Sequence, residues 1–350
     1  MNGRERFIKA CRRESVDRAP VWMMRQAGRH LPEYLKLREQ YDFLTRCNNP
    51  ELAAEISLQP WRRYAVDGVV VFSDILLPVA KMGPSLAMVE KVGPVFSPPL
   101  RTLADIDKLQ VPNSSAKSTL DNEFPTAAAI KILRRELCES AAVIGFVGSP
   151  WTIAAYMVEG AGKQNHFKTF LSFVNAQPQA AKKLFDKITA VLIPYLQAQV
   201  AAGADAIQVF DSWGGLLDHE TYQEFSLPWM QTLVSAINDT GAISVAFVKD
   251  GEPFLEQLAA SKACVVGIGP NTKMQTAIER IGDQVALQGN LDPEILLQDP
   301  QTVRKASEQL LQEIDGRCGH IINLGHGILP ATSVESVQAF VETVQQSSAV

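Results

Sequence analysis

Eight short apolar runs, separated by segments of helical length, constrain this chain more than any other feature. They fall at 21–24, 68–72, 142–146, 206–210, 243–248, 264–268, 285–288 and 320–324. Most are continuously apolar rather than alternating, as expected of strands covered on both faces. Between or after them, 50–64, 124–137, 178–201, 222–238, 253–260, 272–281, 302–314 and 333–344 read as helices, with Ser333 at the start of the last. Strand–helix alternation implies a parallel sheet with right-handed crossovers. Eight such units predict an α/β fold, a single distorted (β/α)8 TIM-like barrel. An open doubly wound sheet is the competing arrangement.

The stretch 82–112 breaks the alternation. It is rich in Gly and Pro, and 86–89 and 94–96 have the composition of a hairpin inserted on a βα loop. No Gly-, Ser- or Pro-rich linker divides the chain, so 1–350 reads as one domain.

Composition narrows the function classes. A 46% hydrophobic, 20% charged chain has the apolar content for a large core. The net charge of -5, with no run of Lys or Arg, argues against nucleic acid. Cys11, Cys47, Cys138, Cys264 and Cys318 are scattered with no C-x-x-C, which fits free thiols in a reducing cytoplasm. The charged first 13 residues lack a secretory apolar core. No apolar run reaches the roughly 18 residues that span a bilayer.

Barrel enzymes carry their chemistry on the loops after the strands. Here the first strand is followed by Arg25-Gln26-Ala27-Gly28-Arg29, two fixed cations around a glycine. A guanidinium binds carboxylate or phosphate through paired hydrogen bonds and keeps its charge at all working pH values. With a negative chain overall, a polyanion needs such a local patch. The bland reading pairs these arginines with nearby acids such as Glu33; their strand-end position favours a site. Asp74 follows the second strand and precedes Ile75-Leu76-Leu77. By position it is as good a helix cap as a site residue, and its apolar flank tilts it toward use. Tyr156 has the bland reading of a core aromatic. His326 lies between two glycines, open to close approach. Asp211 and Asp292 read as caps, and Lys249-Asp250 as a local ion pair.

Nucleotide and metal motifs are missing. No G-x-G-x-x-G, P-loop or G-x-S-x-G occurs, and His30, His166, His219, His320 and His326 form no H-E-x-x-H. The residues alone describe a barrel mouth that holds a polyanion and works by acid–base or electrostatic catalysis; they do not name a reaction.

Residues 20–29, Pro-Val-Trp-Met-Met-Arg-Gln-Ala-Gly-Arg, and 145–160, from Gly145-Phe146-Val147-Gly148-Ser149-Pro150-Trp151 to Gly160, resemble two signatures of the uroporphyrinogen decarboxylase family. Phe72-Ser73-Asp74-Ile75-Leu76, Gln288-Gly289-Asn290-Leu291-Asp292-Pro293 and Asn323-Leu324-Gly325-His326-Gly327 resemble further family segments in the same order. The resemblance implies a cytoplasmic homodimer in haem (tetrapyrrole) biosynthesis. Such a lyase removes the four acetate carboxyls of uroporphyrinogen III, giving coproporphyrinogen III, with no metal or organic cofactor.

By matching position, Arg25, Gln26, Ala27, Gly28, Arg29, Arg38, Asp74, Tyr156, Ser212 and His326 would bind substrate. Asp74 would face the pyrrole N–H groups, and Arg25, Tyr156 and His326 would join it in catalysis. Two other readings share the fold. A zinc- and corrinoid-linked methyltransferase needs a His-x-Cys, which this sequence lacks. A non-catalytic tetrapyrrole-binding barrel would keep the arginines without needing Asp74, Tyr156 and His326 together. The chain departs from the family after the sixth expected strand: the run is Gly267-Ile268-Gly269-Pro270-Asn271, where many members have Leu-Asp-Trp after the glycine, so Gly269-Pro270 stands in place of Asp-Trp. His30 replaces a common aromatic.

Overall fold

The computed structural model describes residues 1–90, 92–111, 124–161, 167–314 and 317–347. Nine strands occur among them: β1 (Gly68–Val70), β2 (Ser85–Val89), β3 (Gly93–Ser97), β4 (Ala142–Gly148), β5 (Ala206–Asp211), β6 (Ile243–Val248), β7 (Val265–Gly267), β8 (Ala286–Gln288) and β9 (His320–Ile321). One curled sheet runs β1-β4-β5-β6-β7-β8-β9, every pair parallel. These seven strands coincide with seven of the expected runs, and their residues are buried almost throughout.

The remaining run, 21–24, shrinks to a single bridging residue. Val21 pairs in parallel with Ile322. The Trp22 amide donates to the Ile322 carbonyl (3.2 Å) and the Ile322 amide to the Pro20 carbonyl (2.9 Å). On the other side the Asp67 amide donates to the Val21 carbonyl (2.8 Å), so residues 20–22 join β9 to the start of β1. The run ends early because Arg25 adopts φ 61°, outside any strand conformation.

Inside the ring, polar side chains occupy positions the apolar pattern passes over. Trp22 Nε1 donates to Gln288 Oε1 (3.1 Å), and Gln288 Nε2 to Gln208 Oε1 (3.2 Å), all three residues being buried.

At the amino ends of the strands, two aspartates are clamped by pairs of arginines. Asp67 accepts from Arg6 Nη1 (2.6 Å), Arg18 Nη1 (2.7 Å) and the Val21 amide (2.8 Å). Asp205 accepts from Arg4 Nε (2.8 Å), Arg134 Nη1 (3.1 Å) and the Val143 amide (2.8 Å). Arg4 and Arg6 come from a helix, Gly3–Cys11, that the strand–helix alternation does not anticipate. Asn2 caps it by accepting from the Glu5 amide.

The outer helices include Pro50–Tyr64, Pro125–Leu137, Pro178–Ala201 and Pro300–Glu313, each with proline in its first turn. Val334–Gln345 follows the Ser333 cap, as expected. The expected helix 222–238 is two helices, His219–Phe225 and Leu227–Asn238. They break at Ser226, whose hydroxyl turns inward to donate to Asp211 (2.6 Å).

The insertion forms the expected hairpin, β2 pairing antiparallel with β3; Lys91 and Pro112 of the expected range lie outside the described residues. It is fastened to the helix Pro150–Glu159 through the Phe96 amide to the Gly160 carbonyl (2.8 Å) and the Leu100 amide to the Met157 carbonyl (3.0 Å). Lys187 Nζ secures its far end by donating to the carbonyls of Ile106, Asp107 and Leu109 at 2.8, 3.0 and 2.9 Å.

Candidate active site

The arginine loop is built by a buried peg. Gln26, expected among the ligand contacts, is fully buried with both side-chain ends engaged. Its Oε1 accepts from the Met23 amide (2.9 Å) and its Nε2 donates to the Gly68 carbonyl (2.9 Å). The side chain therefore ties the loop to β1. Ala27 is buried beside it. Gly28, at φ 79°, lies flat on Phe72: a Cβ there would come within 2.3 Å of the ring. The amides of Ala27 and Gly28 meet no protein acceptor among the described residues. The loop thus offers backbone donors as well as charge.

Arg25 is exposed and lies across Gly327, where a Cβ would be 2.4 Å from its Cδ. That contact brings the first loop against the His326 loop. Two further bonds lock them together: the Met24 amide to Asn323 Oδ1 (2.9 Å) and the Ile328 amide to the Met24 carbonyl (2.9 Å). Arg29 is half-buried; burial first, and the neighbouring Arg25 second, push its pKa down to about 10. Neither arginine has an ion-pair partner among the described residues. Glu33, the nearby acid of the bland reading, pairs instead with Arg63 at 3.0 Å. Arg38 is exposed in the last turn of the helix Pro32–Gln40, also without an ion pair among the described residues.

Asp74 follows Phe72, so the ring under Gly28 also carries the chain to this carboxylate. Asp74 is half-buried. Its Oδ1 accepts from the Leu76 amide (2.8 Å), and its second oxygen has no protein partner among the described residues. The cap reading is met by the oxygen that bonds the turn that follows, and the other oxygen is left open among the described residues. Burial raises the pKa of the carboxyl, while the Leu76 amide and Arg25 draw it back.

Tyr156 projects from the helix Pro150–Glu159, whose first turn is capped by Ser149. It is half-buried, edge-on to Phe167 and Trp213 at 5.6 and 6.2 Å between ring centres. Burial raises the pKa of its phenol; Trp213 opposes this by hydrogen bonding, and the charges of Asp74 and Arg25 act on it too. Tyr156, Asp74 and Arg25 therefore share one electrostatic neighbourhood. His326 is half-buried with its ring stacked over Phe247 at 6.4 Å and 21°. Ser212 is half-buried just past β5.

Asp211, beside Ser212, is an internal tie rather than a helix cap. It is fully buried and accepts from Ser149 Oγ (2.8 Å), Thr152 Oγ1 (2.7 Å) and Ser226 Oγ (2.6 Å). Burial raises its pKa against these bonds. It holds the starts of two helices to the end of β5, and with them Tyr156 and Ser212. Asp292 is a cap, accepting from the Glu294 amide (2.9 Å), and Lys249 pairs with Asp250 at 3.4 Å, as expected. At the family departure, the Pro270 ring fills the space beside Gly325, where a Cβ would lie 2.4 Å from the Pro270 nitrogen. Asn271 Nδ2 donates to Asp250 (3.0 Å).

His30 behaves as an aromatic: buried, stacked on Tyr64 at 6.0 Å and bonded to its hydroxyl (2.9 Å). His166 lies outside the described residues. Among the described residues, no three His, Cys, Asp or Glu side chains gather as a metal site.

Sequence reasoning missed Phe72 and Trp213. Phe72 supports the glycine of the arginine loop and Trp213 packs edge-on against Tyr156. Neither role has a local signal, because both depend on contacts with distant loops.

A ring of parallel strands with unpaired arginines, a half-open aspartate, a tyrosine and a histidine at its carboxyl end defines an α/β-barrel enzyme. The chain belongs to the uroporphyrinogen decarboxylase family, whose pattern, "Uroporphyrinogen decarboxylase (URO-D)", matches residues 2–347. A uroporphyrinogen decarboxylase of Syntrophotalea carbinolica is 44% identical over 342 residues, covering 97% of each chain. One from Coxiella burnetii is 42% identical over 349 residues, 98% of this chain and 95% of the relative. Among solved structures, a methyltransferase from Methanosarcina mazei superposes with a TM-score of 0.82 over 99% of both chains at 22% identity, a likeness of fold.

Proposed function

We propose that this chain removes the four acetate carboxyls of uroporphyrinogen III as carbon dioxide, giving coproporphyrinogen III in haem biosynthesis. The observation that carries this reading, with family membership, is the pairing of opposites at the mouth. Arg25 and Arg29 have no acid, and the open oxygen of Asp74 has no donor. A ligand that satisfies both needs carboxylates on its rim and N–H groups or positive charge at its centre. A reduced porphyrin has that pattern.

The chemistry follows from charge. Loss of carbon dioxide from an acetate arm leaves an electron pair that a ring-protonated pyrrole accepts, and a proton from solvent then joins the former acetate carbon to make the methyl group as the ring releases its own proton and regains its aromatic form. Asp74, partly withdrawn from water, stabilises that cationic ring more strongly than a solvated carboxylate would. Arg25, Arg29 and Arg38, with the amides of residues 27 and 28, hold the remaining carboxylates and fix which arm is over Asp74. Tyr156, Ser212 and His326 border the same space as donors to the substrate. This reading takes the chain as one domain working without metal or organic cofactor, as a homodimer in the cytoplasm. Among the described residues, no helix is long and apolar enough to cross a membrane.

The test is an anaerobic assay of the purified protein on uroporphyrinogen III with chelator present, products separated by carboxyl number. Stepwise appearance of seven- to four-carboxyl products supports the proposal. Undiminished eight-carboxyl substrate, with tight binding, would leave a porphyrin-binding barrel instead. Sedimentation velocity reads the homodimer, which a monomer at micromolar concentration would refute.

A further inference from the structure

Arg46 is a buried cation with no ion pair among the described residues. It is 4% exposed, less than Arg6 at 7%, yet Arg6 is bonded to both Asp17 and Asp67 whereas Arg46 has no carboxylate partner among the described residues. Its hydrogen bonds among the described residues go to neutral oxygens, and the nearest acid to feel its charge is Asp42, four residues before it. Its Nε donates to the Asp42 carbonyl (3.1 Å) and its Nη1 to the Tyr34 hydroxyl. Its guanidinium carbon lies 5.2, 5.7 and 5.9 Å from the ring centres of Tyr34, Phe43 and Phe72. Ring faces offset part of the desolvation of such a charge, but not as an anion does.

The cage abuts the candidate site. Phe72 is 6.1 Å from the Tyr34 ring, and its edge is the surface on which Gly28 of the arginine loop rests. Tyr34 sits five residues beyond Arg29, in the first turns of the helix Pro32–Gln40 that follows the arginine loop. The bond from Arg46 fixes the direction of the phenol. Because Tyr34 Oη accepts from the guanidinium, its own hydrogen points elsewhere, and no acceptor for it occurs among the described residues. A phenol that accepts from a cation is a stronger donor than a free one.

We propose that Arg46 and Tyr34 form a further oxyanion-recognition pair, in which the buried guanidinium polarises the Tyr34 hydroxyl and that hydroxyl donates to a carboxylate held at Arg29. The pair rests on the substrate reading above for the identity of the carboxylate, a side arm of the tetrapyrrole. Tyr34 touches the ligand, and Arg46 is a positioning residue acting through it.

The test compares wild type with Tyr34→Phe, Arg46→Met and the double variant. Two readouts are taken: the equilibrium binding of uroporphyrin III, followed by its own fluorescence, and steady-state turnover of uroporphyrinogen III. Tyr34→Phe keeps the ring on Phe72, so it reports the hydroxyl even if Arg46→Met folds poorly. Each single variant should weaken porphyrin binding about tenfold and raise KM alike, with kcat within about twofold. The double variant should be no weaker than Arg46→Met alone, since the two act as a unit. Unchanged binding in Tyr34→Phe, additive losses, or a fall in kcat at constant KM overturns the pair. A wild type that binds porphyrin but does not decarboxylate overturns the function proposed above, while the binding series still decides the pair.

Discussion

The two ends of the barrel use the same residue type in opposite ways. At the amino ends of the strands, Arg4, Arg6, Arg18 and Arg134 are bonded to Asp67 and Asp205. At the carboxyl ends, Arg25, Arg29 and Arg38 have no ion-pair partner among the described residues, and the acid that local sequence offers them, Glu33, is taken by Arg63. A paired arginine closes a seam: Asp67 joins Arg6 and Arg18 to the amide of Val21, the residue that completes the ring. An unpaired arginine keeps its charge for something that is not yet there. On the proposed function, the difference separates residues whose loss costs stability from residues whose loss costs activity.

The comparison breaks most sharply through the mouth. Asp74→Asn is nearly isosteric and should lower turnover on the order of a thousandfold with a melting temperature close to wild type. Arg25→Ala should be at least as damaging. Normal counts of carboxyl loss in either variant would remove that residue from the mechanism. At the opposite end, Asp67→Asn leaves Arg6 and Arg18 without their shared acid and should cost about 3 kcal/mol in denaturant unfolding. The kcat and KM of the fraction still folded should stay within about twofold. If Asp67→Asn instead abolished turnover at unchanged stability, the division of labour between the two ends would be wrong.

A pH experiment probes both ends at once. Burial lowers the pKa of His30, next to Arg29, and of His320, at the start of β9, to about 4 from an ordinary value near 6.5. Both are neutral in the folded protein at neutral pH. Between about 6.5 and 4 the unfolded chain takes up the proton and the folded protein does not, so stability is complete above that window and falls as pH drops through it. The loss should reach roughly 2 kcal/mol for each histidine by pH 4.5. His30→Phe keeps a ring beside Tyr64 and should remove about half of this acid sensitivity. A slope unchanged in His30→Phe would mean that His30 is protonated in the fold. The smallest effect is expected at the surface: Glu33→Gln breaks only its half-exposed pair with Arg63. It should shift stability by less than about 1 kcal/mol and leave KM unaltered. A marked fall in KM would show that Glu33 competes for Arg29 in solution.

Much of this was readable from the chain alone, and the reason is local. Strand and helix periodicities, proline starts, the Ser333 cap and the 86–89/94–96 hairpin are properties of a few adjacent residues, and the structure keeps them. So are the strand-end positions of Arg25, Asp74, Tyr156, Ser212 and His326, because alternation alone tells which loops share a face of the barrel. The helix break at Ser226 was not legible, since it depends on a bond to Asp211, fifteen residues away. Nor was the inward turn of Gln26, whose partner Gly68 is 42 residues away.

The sequence by itself determined the number and order of the strand–helix units, the family, and the set of polar residues at the mouth. Only the tertiary structure decided which charges are neutralised. Arg6 and Arg46 are both buried arginines on short helices, and nothing in their neighbouring residues distinguishes them. Closing the ring brings Asp67 into an ion pair with Arg6, whereas among the described residues Arg46 bonds to neutral oxygens and lies over aromatic rings. Coulombic pairing acts over a few ångströms in space whatever the separation along the chain, so it is settled only when distant strands have met.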